Sequence, residues 1–338
     1  LYLRSRRAEN FSQRFFDVAF PFDVGGFNQS ATDQAYYVQD TWRNERARLA
    51  LTGGMRVEHS DLADQTLVSP RGALGWSVNK DWAIRAGAGR YHQFPDFEQK
   101  FGRLGNTNLL AESSTHYNAS VERLFGARMR VLLELYDRED TNLFFALSEP
   151  LQVGSGFSFI EFPFRNSLRG HARGVELTLQ RRSANNLAGW ISYAYTHTKL
   201  TDDQTGLSFV SDADQRHTIN VYGSYRFTDT WNLSGTWRYG SGQPIPGFFR
   251  KVGPFYFLAS ERNRERVPAF SRLDVHVSKA FLFTKWKLTV TGEVINAFNR
   301  ENVRFSGFGP FDFSSGRVFG QLDRTLPILP SAGVVIEF

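Results

Sequence analysis

Hydrophobic and polar residues alternate with a period of two along many short stretches of this chain. In WKLTVTGEVIN, which begins at Trp286, Leu288 and Val290 share one face of an extended strand, and Thr289 and Thr291 share the other. The same alternation recurs in RGVELTLQRR and TINVYGSYRF. Repeated alternating segments of about ten residues are typical of transmembrane β-barrels. The pattern therefore predicts an all-β fold, a transmembrane antiparallel up-and-down β-barrel.

The alternating segments predict about fourteen strands. Their expected ranges are 1–9, 33–43, 46–59, 67–79, 81–92, 113–125, 127–139, 173–182, 187–199, 215–227, 230–240, 271–283, 286–297 and 329–338. An even number of strands places both ends of the chain on the same side of the membrane.

Short and long connections alternate between these strands. Short polar turns are predicted at 43–45, 79–81, 125–127, 183–186, 228–230 and 284–285. Longer connections are predicted over 60–67, 93–112, 140–172, 200–215, 241–270 and 299–328. Transmembrane barrels have short turns on the periplasmic side and long loops outside. A soluble β-sandwich gives no reason for this sorting by length.

Large aromatic residues lie within a few positions of the short turns, although these turns are spread over the whole chain. They are Trp42, Trp76, Trp82, Phe125, Phe227, Trp231, Phe283 and Trp286. In a barrel they form one ring at one membrane interface, where amphipathic rings are favoured. One residue departs from the pattern, because Asp40 shares the apolar face with Val38 and Trp42.

The chain ends on SAGVVIEF, an alternating segment without a polar tail. We expect Ala332, Val334, Ile336 and Phe338 to face lipid in the last strand, and this strand to pair with the first. Phe338 then joins the periplasmic aromatic ring. The opposite face of the wall carries polar residues that we expect to line the lumen: Arg85, Glu134, Glu176, Asn220 and Glu293.

Composition removes several other classes of protein. The 338 residues contain no cysteine, so disulfides, thiolate metal sites and cysteine nucleophiles are absent. The net charge is +6, but Lys and Arg are scattered rather than grouped in a stripe, which argues against nucleic-acid binding. The histidines show no metal-ligand spacing, and we expect no metal and no cofactor.

An enzyme is also disfavoured by the sequence. Asp274, His276 and Ser278 share one face of a predicted strand and superficially suggest a catalytic triad. Same-face neighbours on a strand stand about 6.6 Å apart, which is too far for the hydrogen-bonded relay that activates a nucleophile. Ordinary polar lumen lining explains these three residues.

An ordered series of segments resembles the β-barrel of TonB-dependent outer-membrane receptors. The series is YYVQDTWRNERARLALTGGMRVE from Tyr36, SPRGALGWSVNKDWAIRAGAGRYHQFP from Ser69, GVELTLQRR from Gly174, DQRHTINVYGSYRF from Asp214, GSGQPIP from Gly240, RVPAFSRLDVHVSKAF from Arg266, VINAFNREN from Val294 and the final Phe338. The likeness covers essentially residues 1–338 and points to the C-terminal portion of the barrel domain. The segment GNTNLLAESSTHYNASVE lacks the family's usual Pro and Lys in a surface loop.

The resemblance implies an active-transport receptor in the bacterial outer membrane. Such receptors take up a scarce, bulky nutrient (a ferric siderophore, cobalamin, glycan or peptide), with energy delivered by the TonB–ExbB–ExbD complex. They carry an N-terminal plug inside a barrel of 22 strands, so we expect this chain to be a fragment without the plug and the N-terminal strands. The resemblance also implies that the barrel-assembly machinery reads the C-terminal strand. The alternative is a complete fourteen-stranded passive porin.

Two long loops, over 141–168 and 243–260, combine aromatic rings with cations. Substrate contacts are predicted at Phe144, Phe145, Phe164, Arg165, Phe248, Phe249, Arg250 and Tyr256. Aromatic faces beside cations suit a flat anionic or glycosidic ligand. The competing interpretation is that these rings pack loop against loop and keep the mouth of the barrel ordered.

Overall fold

A computed structural model describes residues 2–9 and 27–338, and most of these residues belong to one antiparallel sheet. Fourteen strands of this main sheet follow one another in space in chain order. They are β1 (Tyr2–Glu9), β2 (Asn28–Asn44), β3 (Leu49–Ser60), β4 (Gln65–Ser77), β5 (Trp82–Gln93), β6 (Glu112–Phe125), β7 (Met129–Val153), β8 (Gly156–Ala184), β9 (Leu187–Asp202), β11 (His217–Thr228), β12 (Trp231–Gly240), β15 (Phe270–Leu282), β16 (Lys287–Ile295) and β19 (Leu329–Glu337). Each predicted strand corresponds to one of them.

The predicted short turns are confirmed, and they all join neighbouring strands at the same end of the sheet. The turn between β8 and β9 shows why they are so tight: Asn185 and Asn186 adopt φ of 52° and 61°. Two successive residues with positive φ make a two-residue hairpin turn whose twist matches that of the strands, and asparagine tolerates this conformation better than most residues. The short turns lie at the end of the sheet where the aromatic residues were predicted.

Two of the predicted long connections are wrong. Ser60 pairs with Gln65, so only the four residues 61–64 join β3 to β4. The region 140–172 is not a loop, because β7 and β8 continue through it and turn at Gly154 and Ser155. Register shifts between Asp140 and Leu147 interrupt the alternation there, which hides the hairpin from a period-two pattern.

The remaining long connections carry structure of their own. The short helix α1 (Phe97–Phe101) follows β5, and β10 (Ser208–Val210) pairs with β9. A second sheet, called here the outer sheet, has the order β13 (Phe249–Val252), β14 (Phe255–Leu258), β18 (Arg317–Arg324) and β17 (Val303–Phe311). Its strands come from two connections that are distant in sequence and meet where β14 pairs with β18.

The predicted pairing of the last strand with the first is not formed in the part of the chain that the structure describes. The main sheet has β1 at one edge and β19 at the other. Barrel diameter grows with strand number, so fourteen strands that curve to fit a wider barrel keep their outermost strands apart. An edge strand of this kind has backbone N–H and C=O groups that can pair with a further strand.

Buried apolar residues concentrate in the outer halves of β7 and β8 and in the long connections rather than between layers of sheet. One cluster contains Phe145, Leu147, Leu168, Phe209 and Phe248. The other contains Ile245, Phe249, Tyr256, Leu258 and Val318 and forms the core of the outer sheet. Within residues 2–9 and 27–338, no helix has the length and apolar character needed to cross a membrane.

Candidate functional site

Strand register makes one face of the main sheet continuously apolar. Leu177 pairs with Leu133 on β7 and with Tyr193 on β9, so their side chains lie on the same face. On β16, Val290 pairs with Val334 and Leu288 with Ile336, which places the last strand on this face as predicted. Asp40 lies opposite Gly53 in the same face, as the alternation indicated. A one-residue shift in any strand would break the continuity.

The predicted interface aromatics all lie at the ends of strands that face the short turns. All of them except the half-buried Trp286 remain exposed, and two stack in one turn, where the Phe283 and Trp286 ring centroids are 4.0 Å apart. Basic side chains accompany them on the apolar face: the Arg123 guanidinium carbon lies 4.2 Å from the Phe125 ring, and Lys279 Nζ lies 5.2 Å from the Trp231 ring. Cations packed on rings suit an interface between hydrocarbon and charged headgroups.

A second group of aromatics, which the sequence reading missed, occupies the opposite end of the apolar face. Its members are the outward-facing tyrosines Tyr36, Tyr117, Tyr193, Tyr195 and Tyr239. The signal was present, because each tyrosine shares the parity of the apolar residues on its own strand. The apolar face is therefore bounded by Trp and Phe at the short turns and by Tyr near the long connections, like the two girdles of a membrane barrel.

The other face of the sheet is polar and partly ion-paired. The Glu122 carboxylate accepts from Arg130 Nη2 at 2.9 Å and from Arg85 Nη1 at 3.1 Å. The predicted lumen residues Arg85, Glu134, Glu176, Asn220 and Glu293 all have this parity in the register. A wall that is apolar outside and polar inside can enclose water or a polar occupant within a membrane.

Near the long connections this polar face contains a hydrogen-bonded cluster. Ser114 Oγ donates to Asp140 Oδ1 at 2.5 Å and lies 2.8 Å from His116 Nε2, while Arg138 Nε is 3.0 Å from Asp140 Oδ2. The serine lies between the histidine and the carboxylate, so the histidine cannot be oriented by the carboxylate as a nucleophile-activating base requires. The cluster is lumen lining.

On β15, Asp274, His276 and Ser278 do not form a catalytic relay, because Asp274 makes structural contacts elsewhere. Asp274 Oδ2 accepts from Arg272, and its Oδ1 accepts from the backbone N–H of Asn296 at 3.0 Å. Both carboxylate oxygens are thereby engaged away from His276, which itself pairs with Glu293 in the register.

Four of the eight predicted substrate residues are buried within the outer connections. Phe145 and Phe248 belong to one apolar cluster, and Phe249 and Tyr256 belong to the other. Their exposed fractions are between 2% and 8%. In this arrangement these rings pack loop against loop, as the competing interpretation proposed.

The other four predicted residues have more varied surroundings. Phe144 and Phe164 are half-buried, and Arg250 is exposed. Arg165 donates through Nη2 to the buried Asp202 at 2.8 Å, and its guanidinium carbon lies 3.7 Å from the Phe162 ring. Of the predicted cations, Arg250 is thus the one whose charge stays available to a ligand. Substrate contact by these residues stays a prediction.

The outer sheet presents a cation and aromatic surface that the sequence reading missed. Arg317 lies between Phe255 and Phe319, with its guanidinium carbon 3.8 Å and 5.1 Å from the two ring centroids. Both rings are exposed, at 43% and 51%. Register places Arg250, Phe257 and Arg317 in one row, on the side opposite the buried Tyr256 and Val318. This exposed side of the outer sheet is called here the Arg317 surface.

Buried carboxylates fix the geometry of the outer connections. Burial raises the pKa of Asp214, but hydrogen bonds from the Thr198 backbone N–H, Arg266 and Arg216 outweigh it and hold the pKa below its usual range. For Asp202, burial is likewise outweighed by hydrogen bonds from Ser167 and Thr205 and by Arg165, so its pKa is lowered. Both groups are therefore ionised and join separate loops through charge-assisted hydrogen bonds.

One mixed group of charges lies on the outward face beyond the tyrosines. Asp137, Glu139 and His171 bring one potential ligand atom each within 4.8 Å of one another. Arg173 Nη2 lies 2.9 Å from His171 Nε2, and Arg173 Nε lies 3.5 Å from Asp137 Oδ2. A guanidinium in this position makes the group an ion-pair network, because it repels a bound cation.

Comparisons with known proteins agree with this two-faced wall. The family model for the TonB dependent receptor-like β-barrel matches residues 2–297. A ferric enterobactin receptor from Pseudomonas aeruginosa is similar at 17% identity and a TM-score of 0.66, over 92% of this chain and 45% of that one. The outer membrane transporter YddB from Escherichia coli is similar at 11% identity and a TM-score of 0.63, over 92% of this chain and 46% of that one.

The FrpB iron transporter from Neisseria meningitidis gives 14% identity and a TM-score of 0.61, again over 92% of this chain and 46% of that one. No curated protein matches the chain. The chain thus spans less than half the length of these solved structures. The likeness confirms the predicted fold, an antiparallel sheet of about fourteen strands that corresponds to part of a larger barrel.

Proposed function

The chain belongs to the TonB-dependent receptor-like β-barrel family of the outer membrane, a family of transporters rather than enzymes, and on this basis we propose that it forms part of the wall of an active-uptake receptor. The receptor imports a scarce, bulky nutrient across the outer membrane. Energy comes from the TonB–ExbB–ExbD complex through an N-terminal plug of the kind that the family carries.

The observation that carries this proposal is the family match over residues 2–297, together with a wall that remains open. Both edge strands, β1 and β19, have one side without a strand partner in the described residues. A wider barrel supplies those partners, and its lumen is large enough for a plug. The polar inner face gives such a plug hydrogen-bonding groups along its whole height.

We propose a ferric siderophore as the nutrient. Similar solved structures are a ferric enterobactin receptor, a siderophore receptor named PirA from Acinetobacter baumannii and an iron transporter. The Arg317 surface supports this class of ligand, because its exposed rings lie beside cations that form no ion pair within the described residues, and such a surface suits a flat anionic chelate. Arg250 belongs to this surface, whereas Phe145, Phe248, Phe249 and Tyr256 contribute by holding the loops beneath it.

The test is uptake of radioactive iron, given as ferric enterobactin, by cells that express the complete receptor and no other siderophore receptor. We expect uptake that disappears when TonB is deleted. The substitution Arg317→Ala should raise the concentration needed for half-maximal uptake about tenfold, or about 1.4 kcal/mol, because the variant loses the cation that attracts an anionic chelate. Arg264→Ala is the matched control, since Arg264 is exposed and lies in a neighbouring loop.

The passive porin alternative makes the opposite prediction. A porin needs β1 to pair with β19, and its flux rises linearly with substrate concentration regardless of TonB. TonB-independent, non-saturating entry of ferric enterobactin would overturn the receptor proposal. Saturable, TonB-dependent uptake of a different nutrient would keep the receptor and remove the siderophore assignment.

A further inference from the structure

Two adjoining clefts lie on the polar face of the main sheet, over β3, β4 and β5. Their volumes are about 520 Å³ and about 320 Å³, and they share the lining residues Arg43, Ala50, Gly75 and Arg85. The larger cleft reaches Tyr91 toward the long connections, and the smaller one reaches Ala83 and the short turns. Ala83 and Tyr91 lie on β5, about 26 Å apart along a strand. The two clefts together form one groove, called here the lumen groove.

Small side chains form the floor of the lumen groove. Four residues with the parity of the polar face make it up in two register pairs, Ala50 with Gly75 and Thr52 with Ala73. The row of Ala50 and Gly75 continues across the sheet to Glu134 on β7, whose long side chain extends farther into the lumen. A Cβ added at Gly75 would meet only the Cβ of Ala50 within 4 Å, at 3.9 Å. The floor is therefore open to a ligand.

Cations stand at both ends of this floor. Arg43 and Arg71 are exposed and form no ion pair within the described residues. Arg71 extends across Gly54, which leaves room for its side chain because glycine has no Cβ. Arg85 donates through Nη1 to Glu122 at 3.1 Å and is 51% exposed, so its remaining N–H groups stay available.

The charges that line the groove do not cancel one another. Four arginines line it, Arg43, Arg48, Arg71 and Arg85, and Glu45 is the one carboxylate among the described residues of the lining. Glu122, the partner of Arg85, also accepts from Arg130 at 2.9 Å. The groove thus carries a net positive charge, and its guanidinium N–H groups suit the oxygen anions of a chelate.

The spacing of the arginines fits a bulky anion. Arg43 and Arg85 lie in one row of the register and are separated by three interstrand distances, about 14 Å in all. Arg71 lies on β4, four residues from Gly75 in that row, which is about 13 Å along the strand. An anion that leaves Arg71 therefore meets Arg43 and Arg85 one after the other along the same floor.

We propose that the imported nutrient, an anionic chelate, moves through the receptor along the lumen groove, first against Arg71 and then against Arg43 and Arg85. This inference rests on the proposed function and adds the sector of the wall that the nutrient follows. The Arg317 surface receives the nutrient outside, whereas the groove acts after it has entered the lumen. A plug that packs against the long side chains of β7 and β8 leaves the groove free.

The experiment uses the complete receptor in cells without another siderophore receptor, and ferric enterobactin is the probe. Residues 1–338 contain no cysteine, so Gly75→Cys can be labelled in this part of the chain at a single site. Labelling with a bulky maleimide during import should abolish TonB-dependent uptake and leave equilibrium binding at the cell surface unchanged. Ser192→Cys is the matched control, because its side chain has the parity of the polar face on β9, away from the groove. Its labelling should leave uptake intact.

The cations are tested separately with the double substitution Arg43→Gln and Arg71→Gln. The maximal rate of uptake should fall about tenfold, because the groove loses charges that concentrate an anion. Surface binding should keep its affinity. The double substitution Arg226→Gln and Arg238→Gln removes the same charge from the polar face of β11 and β12 and should leave the rate unchanged.

Four results would overturn the groove as the path. They are uptake that continues after Gly75→Cys is labelled, a thiol at this position that stays closed to the reagent during import, an equal block from labelled Ser192→Cys, and antibiotic leakage through the Arg43 and Arg71 variant. Leakage would show that the two arginines hold the plug. If this variant fails to fold, the labelled Gly75→Cys receptor still decides. Absence of ferric enterobactin binding by the unsubstituted receptor would remove the siderophore assignment together with the groove, whereas binding without the expected block removes the groove alone.

Discussion

Glu134 and Glu176 lie directly opposite each other across β7 and β8, on the polar face of the wall. Both are half-buried, and no cation of the described residues forms an ion pair with either. Like charges in directly opposite positions destabilise a sheet, by roughly 0.2–1 kcal/mol for a pair of this kind. A cation supplied from outside the described wall would relieve this repulsion, and we predict that the plug supplies one.

The substitution Glu176→Gln tests this relationship. If a cation of the plug lies between the two glutamates, the variant should release the plug more readily, which shows as increased antibiotic leakage through the outer membrane. If no cation is present, the variant relieves repulsion and the melting temperature should rise instead. Asn220→Asp places a new carboxylate on the same polar face and serves as the comparison.

The facing of β8 can be checked with two neighbouring arginine substitutions. Leu177 lies on the apolar face and Thr178 on the polar face. We expect Leu177→Arg to destabilise the folded barrel by about 2–4 kcal/mol near the bilayer midplane, and Thr178→Arg to have a much smaller effect. Urea unfolding in lipid vesicles measures both. Equal losses of stability in the two variants would contradict the assignment of Leu177 to the apolar face and Thr178 to the polar face.

Arg262 joins three outer connections, so a substitution at this position should destabilise them. Its side chain is 7% exposed, and it donates to Asp212 at 2.8 Å and to Glu149 at 3.2 Å. Its guanidinium carbon also lies 4.8 Å from the Phe209 ring. The carboxylates of Glu149 and Asp212 are 26% and 51% exposed, so removal of Arg262 should cost less than the about 3–5 kcal/mol typical of a fully buried pair.

We expect Arg262→Ala to open these connections locally while the barrel stays folded. Hydrogen exchange should accelerate around Glu149 and Asp212, with unchanged exchange in the strands of the main sheet. Arg264→Ala is the matched control, because Arg264 pairs with Glu261 at the surface and such pairs contribute little. Similar exchange in both variants would contradict the role of Arg262.

Asp214 makes the outer connections sensitive to acid. Its folded pKa is held below the unfolded value of about 3.9, so its contribution to stability is fully present above that value. The contribution is lost as the pH falls through the lowered folded pKa, when protonation breaks the hydrogen bonds to Arg216 and Arg266. Exchange around residues 211–216 should therefore accelerate below about pH 4, and Asp214→Asn should remove this pH dependence.

The last strand should matter for assembly. Phe338 follows an alternating strand whose apolar residues continue the outward face of β16. If the barrel-assembly machinery reads this end, deletion of Phe338 should lower the amount of heat-modifiable barrel recovered from outer membranes. The double substitution Ser331→Thr and Glu337→Gln, which keeps the alternation, should leave that amount unchanged.

The sequence by itself determined the fourteen strands of the main sheet, their facing and their short turns. Side chains alternate between the two faces of any strand. In a membrane barrel one face meets lipid and the other meets a polar lumen, so the alternation of apolar and polar residues shows which face is which. A turn such as Asn185–Asn186 is also a local feature, since it depends on the conformations that asparagine tolerates. These elements needed no knowledge of distant contacts.

Only the tertiary structure decided what the long connections do. The outer sheet joins β14 to β18 across about sixty residues of chain, and register shifts hide the continuation of β7 and β8. Aromatic residues look alike in sequence whether they pack together, as Phe248 does, or stay exposed, as Phe255 does. Burial depends on which loops meet, and that is set by long-range packing rather than by any local pattern.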